Sequence, residues 1–386
     1  MIAVIADDFT GAAELGGLGL RYGMSVEIET EVTDDCKVDL LIIATDTRSV
    51  SKKQAAREIF KITKDLEKIE LDWIYKKTDS VMRGHVLEEL LSVLKASSSN
   101  QVLLVPANPS FGRTISEGQY YIYNKPLHET GFSEDPEFAL SSSNVLELLG
   151  NSNEIKTVIL KREENIPEGA ISVGEAETNK DLSAWAKRVK NDIIPAGAAG
   201  FFAALLEQNG FVPKDKINNK PLNLGIVRLY VCGSSFSLSR NAIEEAKRSG
   251  RIVCEMPVEL FKGEGDAEKL LEEWAEEVIG SFERSSSVII AINQPIVLKK
   301  GTAVRLRDLT ALLVEHVLNK VQVEELFIEG GATTSAIVRK AGFKKFMPVQ
   351  EVAPGVIRMK VEEKPNMYIT LKPGSYIWPE KIWQIE

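Results

Sequence analysis

The sequence predicts an α/β fold of two domains with mainly parallel sheets, and three observations carry that expectation. Short β-branched runs alternate with longer segments of helical period. The alternation breaks once, at a stretch rich in proline, asparagine and lysine, and then restarts. The chain has 386 residues, 44% of them hydrophobic, which is more than one core ordinarily organises.

Taken in order, the strand candidates of the first half are residues 2–6, 26–29, 40–44, 73–76, 101–105 and 157–160. A helix rich in glycine and alanine follows the first strand, and further helical segments cover 52–69 and 86–96. In the last of these Val86, Leu87, Leu90, Leu91 and Leu94 recur at spacings of three and four, which makes one apolar stripe to lie on a sheet. An apolar helix is expected over 201–206, preceded by the small residues 195–200, which suit either close packing or anion binding. Residues 210–225 hold two prolines, three asparagines and three lysines without periodicity and read as a linker. Beyond it the series resumes with strands at 228–232, 252–256, 287–292 and 326–329, alternating with helices at 238–249, 267–282, 304–320 and 334–341. The expected domains are therefore residues 1–215 and 216–386, with an active site in the cleft between them.

Charge and cysteine usage exclude several classes. Lys and Arg total 47 against 56 Asp and Glu, a formal net charge of −9, which disfavours a general binder of nucleic acid or anionic membrane. Cys36, Cys232 and Cys254 are scattered and odd in number, so neither a disulfide framework nor a metal site is expected, and a reducing, cytoplasmic setting is. His85, His128 and His316 are equally isolated, and no metal ligands are assigned. The first residues are too short an apolar run for a signal peptide. The longest uncharged apolar stretch, 193–206, is interrupted by Pro195, Gly197 and Gly200 and falls short of the ~20 residues a membrane span needs.

The chemistry-bearing residues gather at expected strand ends. The first strand runs into Asp7-Asp8-Phe9-Thr10-Gly11-Ala12-Ala13, the third into Thr45-Asp46-Thr47-Arg48-Ser49, and the fourth into Lys77-Thr78-Asp79-Ser80-Val81-Met82-Arg83-Gly84. Ligands of open α/β sheets bind at such carboxyl ends. Arginine grips carboxylates, lysine adds a point charge, and aspartates accept from hydroxyls or deprotonate one. The plainer alternatives are that Asp8 and Thr10 cap the helix and that Lys77, Asp79 and Arg83 form surface ion pairs. A stiff loop, Pro106-Ala107-Asn108-Pro109-Ser110-Phe111-Gly112-Arg113-Thr114, follows the fifth strand as a candidate wall. In the second half, Gly233-Ser234-Ser235-Phe236-Ser237 and Gly330-Gly331-Ala332-Thr333-Thr334-Ser335 each join a strand to a helix. Such turns expose backbone N–H groups at a positive helix end, which suits a phosphate chain. The adjacent aspartates rule out a phosphatase-type pair, Tyr22 breaks a dinucleotide fingerprint, and neither a P-loop nor a protein-kinase catalytic loop is present.

Together these motifs resemble the four-carbon acid sugar kinases, which comprise the D-threonate, D-erythronate and 3-oxo-tetronate kinases. The likeness spans nearly the whole chain and lies in Ala-Asp-Asp-Phe-Thr-Gly-Ala, Thr-Asp-Thr-Arg-Ser, Lys-Thr-Asp-Ser…Arg-Gly and Pro-Ala-Asn-Pro-Ser-Phe-Gly-Arg-Thr, in that order. The resemblance implies an N-terminal domain that holds the sugar acid and a C-terminal domain that holds ATP with Mg²⁺. It implies that Asp8, Arg48 and the turn Lys77, Thr78, Asp79 and Ser80 bind the acid, and the same rim adds Asp7 and Arg83. ATP falls to Ser234 with Ser235, to Gly330, Gly331, Ala332 and Thr333, and to Gly355 or Gly374. The implied activity is phosphorylation of a hydroxyl, with Asp8 or Asp79 as the catalytic carboxylate. Expected partners are the sugar acid and ATP, with a homodimer left open. Two other classes stand beside it: a metabolite-binding regulator without catalysis, and an NAD-linked sugar-acid dehydrogenase, which the missing fingerprint weakens.

Overall fold

A computed structural model of the chain describes residues 1–33, 36–134, 138–214, 221–233, 237–294, 301–374 and 376–383. It divides into two compact units, Met1–Asp215 and Lys216–Glu386. Of the expected linker, residues 215–220 lie outside the described residues.

The first unit runs β1 (Ile2–Ala6), α1 (Phe9–Arg21), β2 (Val26–Glu29), β3 (Leu40–Ala44), α2 (Lys52–Leu66), β4 (Trp73–Lys77), α3 (Val86–Ala96) and β5 (Gln101–Val105). A small antiparallel sheet follows, made of β6 (Arg113–Ser116), β7 (Gln119–Ile122) and β8 (Lys125–Pro126). Then come α4 (Val145–Leu149), β9 (Lys156–Leu160), β10 (Ala170–Gly174), α5 (Asn179–Ala186), β11 (Ile193–Gly197) and α6 (Ala199–Gln208). The main sheet has the order β2-β3-β1-β4-β11-β5-β10-β9, and each of its pairings is parallel. β1 and β3 are buried throughout, as strands covered on both faces must be, and they read as unbroken apolar runs for that reason. From β1 the chain turns one way to β2, whereas β4 lies on the other flank of β1. The strand order therefore reverses between β1 and β4.

β10 and β11 are strands that the alternation of the sequence did not announce. In β11 the proline and glycine that normally punctuate loops sit inside the sheet. The strand pairs with β5 along its length but with β4 only at Ala196 and Gly197, so Pro195 occupies a place where one ladder is incomplete. Gly197 has φ +143, and a Cβ there would stand 2.1 Å from the Val105 carbonyl oxygen. Only glycine fits.

The second unit runs β12 (Arg228–Cys232), α7 (Ser237–Arg248), β13 (Ile252–Glu255), α8 (Val258–Lys262), α9 (Ala267–Ser281), β14 (Ser287–Ala291), α10 (Thr302–Lys320), β15 (Glu325–Glu329) and α11 (Gly331–Ala341). It ends with β16 (Lys345–Ala353), β17 (Val356–Val361), β18 (Tyr368–Lys372) and α12 (Glu380–Trp383). Its strand order is β13-β14-β12-β15-β18-β17-β16, parallel from β13 to β18 and antiparallel for the last two pairings. The core here stacks Tyr230 on Phe327 with ring centroids 4.5 Å apart, and Trp378 meets Phe327 edge-on. The charged residues of α9 form a solvated helix face that buries Leu271 and Trp274 beneath it, and residues 264–266 precede the helix. Among the described residues no helix is long and apolar enough to cross a membrane.

Candidate active site

In the first unit, Ala6 is in register with Ala44 on one side and with Lys77 on the other. The residues that follow these three positions leave the sheet at one level, at the point where the strand order reverses, which is where open α/β sheets bind ligands. Asp8 caps α1: its Oδ1 accepts from the Gly11 N–H at 2.8 Å. Thr10 lies within the helix and does not cap it. Arg48 stands on a single 3-10 turn, Thr47–Ser49, that follows β3. Its Nε and Nη2 donate to Asp7 Oδ2 at 3.0 and 2.8 Å, and its Nη1 donates to Asp8 Oδ2 at 3.1 Å and lies 3.5 Å from Asp79 Oδ1. Gly84, with φ +88, leaves room for this side chain, since a Cβ would come within 2.9 Å of Arg48 Cγ.

Asp79 anchors the loop after β4. Its Oδ2 accepts from the N–H of Val81 and of Arg83 and from Arg83 Nε, and its Oδ1 takes Arg83 Nη2 at 2.9 Å. Lys77 Nζ donates to the Thr78 carbonyl at 3.0 Å and lies 3.5 Å from Glu14 Oε2. Ser80 accepts twice, through its carbonyl from the Tyr120 hydroxyl and through its own hydroxyl from Arg113. The structure thus brings Asp7, Asp8, Arg48, Lys77, Thr78, Asp79, Ser80 and Arg83 to one rim. The ion pairs are there, but Asp7, Asp8, Lys77 and Asp79 are buried rather than on the surface.

Three aspartates face two arginines and a lysine, so the cluster is nearly balanced and tightly coupled. Burial opposes the charge on Arg48, yet Asp7, Asp8 and Asp79 outweigh it and hold the guanidinium protonated more firmly than usual. Burial likewise opposes ionisation of Asp79, and Arg83 and Arg48 overcome it, pulling the carboxyl far below its ordinary range. Among the described residues, Asp7 Oδ1, Thr10 Oγ1 and Thr78 Oγ1 are buried oxygens at this rim with no hydrogen-bond partner. Unmatched polar atoms of that kind are the natural contacts of a hydroxylated ligand.

The second unit has its own carboxyl edge. Gly330, with φ +90, precedes α11, and its N–H donates to the Lys372 carbonyl at 2.9 Å. The helix begins at Gly331, three residues earlier than its apolar period indicates, because the small residues Gly331, Ala332 and Thr333 form its first turn. That turn carries no side-chain cap. A Cβ on Gly233 would sit 3.2 Å from Thr333 Oγ1, so the end of β12 lies against the same turn. Gly355, with φ +74, closes the β16–β17 hairpin beside Pro373 and Tyr376, next to Gly374. The structure therefore gathers Gly330, Gly331, Ala332, Thr333, Gly355 and Gly374. Ser234 and Ser235 lie outside the described residues. Behind this edge Lys372 Nζ is 3.1 Å from Glu329 Oε1, and Ser239 donates to the same carboxylate. Glu329 thus ties α7, β15 and β18 together. Uncapped amides beside bare glycines fit a phosphate chain, and among the described residues a Cβ at Gly330 would meet nothing within 4 Å.

A family model described as the sugar-binding N-terminal domain matches residues 2–205, and one described as the nucleotide-binding C-terminal domain matches 229–376. The chain belongs to the four-carbon acid sugar kinase family. D-threonate kinase of Salmonella typhimurium is 25% identical over 91% of this chain and 89% of its own. The 3-oxo-tetronate kinase of Pseudomonas fluorescens is 24% identical over 97% and 94% respectively. The crystal structure of a Haemophilus influenzae protein, assigned to a domain family of unknown function, superposes with a TM-score of 0.70 at 20% identity, covering 99% of this chain and 98% of that one. This last likeness speaks to the fold alone. Two residues at the rim of this family member, Glu14 and Tyr120, escaped the sequence reading of the site, and Arg113 entered it only within the loop read as a candidate wall. Arg113 had a signal, as the one cation of the stiff loop after β5. Glu14 lies one helical turn from Gly11, but Tyr120 carries no local mark.

Proposed function

We propose that this chain is an ATP-dependent kinase that phosphorylates a hydroxyl of a four-carbon sugar acid of the threonate, erythronate or 3-oxo-tetronate type. The observation that carries the reading is the buried cluster of aspartates and cations at the β1–β4 reversal, in a chain that matches both family models. Residues 1–215 hold the sugar acid and 216–386 hold the nucleotide. When bound, ATP with its Mg²⁺ supplies the γ-phosphoryl group.

Phosphoryl transfer asks the protein for alignment and charge neutralisation more than for covalent chemistry. Asp79, saturated by donors, stays ionised and fixes Arg48 and Arg83. Asp8 Oδ2 accepts from Arg48 Nη1 at 3.1 Å, and with the unpartnered Asp7 Oδ1 beside it this carboxylate is the one assigned to receive the acceptor hydroxyl. As the substrate oxygen bonds to the γ-phosphorus, the bond from that phosphorus to the β–γ bridging oxygen breaks, ADP leaves, and the hydroxyl proton passes to Asp8. The uncapped amides of Gly331, Ala332 and Thr333, with the glycines at 330, 355 and 374, hold the phosphates. Coupled ADP release with a panel of four-carbon acids tests this. Acid-dependent turnover with at least one of them is expected, and a panel with no ADP release above the acid-free rate refutes it.

A further inference from the structure

The charges at the rim are mostly spent on one another. The guanidinium of Arg48 places Nε and Nη2 on Asp7 and Nη1 on Asp8. Arg83 places Nε and Nη2 on Asp79. Lys77 donates to a backbone carbonyl and faces Glu14. Pulling Arg48 away to grip an incoming carboxylate would strand buried acids and add another negative charge among them, an arrangement that is strongly unfavourable. Arg113 differs. Its Nη1 donates to the neutral hydroxyl of Ser80, and among the described residues it has no carboxylate partner. Its backbone is fixed: the Arg113 N–H donates to the Asn108 carbonyl at 3.1 Å, the Asn108 N–H returns the bond at 2.8 Å, and Arg113 pairs with Ile122 in the small sheet. A partly buried guanidinium on a rigid base, hydrogen-bonded to the residue next to Asp79, keeps both its charge and most of its planar fork available.

We propose that Arg113 binds the carboxylate of the substrate and sets the preference for an acid over an uncharged sugar, an inference that rests on the sugar-acid reading above. Ser80 aims the guanidinium, and the acids of the cluster face the hydroxyl end of the substrate.

The test uses the full chain with Arg113→Gln and Arg113→Lys. Steady-state kinetics are measured for the best four-carbon acid, for its primary amide and for ATP, and melting temperatures are recorded for each variant. In Arg113→Gln, kcat/KM for the acid falls about 10- to 100-fold, the loss expected for a charge-assisted contact. The acid-to-amide discrimination ratio falls in parallel, while KM for ATP stays within about twofold. Arg113→Lys recovers part of the loss, because it restores charge without the fork, and it serves as the readout if the glutamine variant does not fold. A wild-type KM for the acid in the folded variant, with wild-type enzyme active, overturns the role of Arg113 and leaves the kinase reading intact. Wild-type enzyme inactive on every four-carbon acid brings down both.

Discussion

At Arg48 the chemistry of a single residue shows how much of this site is held by mutual neutralisation. Its side chain is buried against two adjacent carboxylates and lies within ion-pair distance of a third. Removing it leaves acids in a low-dielectric environment without a counter-charge. Arg48→Ala is therefore expected to lose about 3–5 kcal/mol of stability along with turnover, visible as a lowered urea midpoint. A variant that is inactive but melts like wild type would show that the acids do not depend on it. Asp79 makes a complementary prediction in pH. Its carboxyl is held below the ordinary 3.8. The ionised form thus contributes its stability above that value, and the contribution is lost as pH falls through the folded-state pKa. Asp79→Asn should be less stable than wild type across pH 5 to 8, and the gap should narrow below about pH 4 in urea titrations. A gap that widens toward acid reverses the sign and rejects the assignment. The aspartates and cations themselves were legible in the sequence as polar residues at strand ends. Which of them are consumed by which was not, since Arg48 meets acids 40 and 41 residues away only after β1 and β3 pair.

Elements with a clean period were the easiest to read, for a physical reason: burial on one face or on both writes itself into composition. β1, β3 and β5 are apolar because helices cover both sides of the sheet, and α3 shows its stripe because one side faces that sheet. β11 and the start of α11 follow another logic. In β11 a close backbone approach selects glycine at 197, and before α11 a positive φ selects it at 330, so both use a residue that elsewhere marks loops. Two glycines with positive φ separate the effects of clash and conformation. Gly197 would place a Cβ 2.1 Å from the Val105 carbonyl oxygen, whereas Gly250, with φ +83, would meet nothing within 4 Å. Gly197→Ala should then cost at least about 3 kcal/mol, and Gly250→Ala about 1 kcal/mol, the bare price of a left-handed backbone. Thermal melts of the two variants check it. Equal losses would mean that β11 shifts to make room, and the tight β11–β5 contact would not be a constraint on the site beside it.

For the whole molecule, composition pointed away from anions, with a net charge of −9, while both proposed ligands are anionic. The resolution is local: cations buried among acids at one carboxyl edge, and backbone amides, which carry no formal charge, at another. Net charge says little about such places, whereas the order of the motifs along the chain says a great deal, because it fixes which strand ends meet within each unit. The proposed division of labour between residues 1–215 and 216–386 is tested by hydrogen exchange on the intact protein. Ligand binding slows exchange where it lowers the population of local openings. The four-carbon acid should slow exchange at 7–11, 45–49 and 78–84, where N–H groups of Gly11, Arg48 and Arg83 already bond to Asp7, Asp8 and Asp79. ATP should slow it at 330–334 and 372–374, around the Gly330 N–H held by Lys372. Protection by the acid confined to the second unit, or by ATP confined to the first, would exchange the roles of the two units and with them every residue assignment made at either edge.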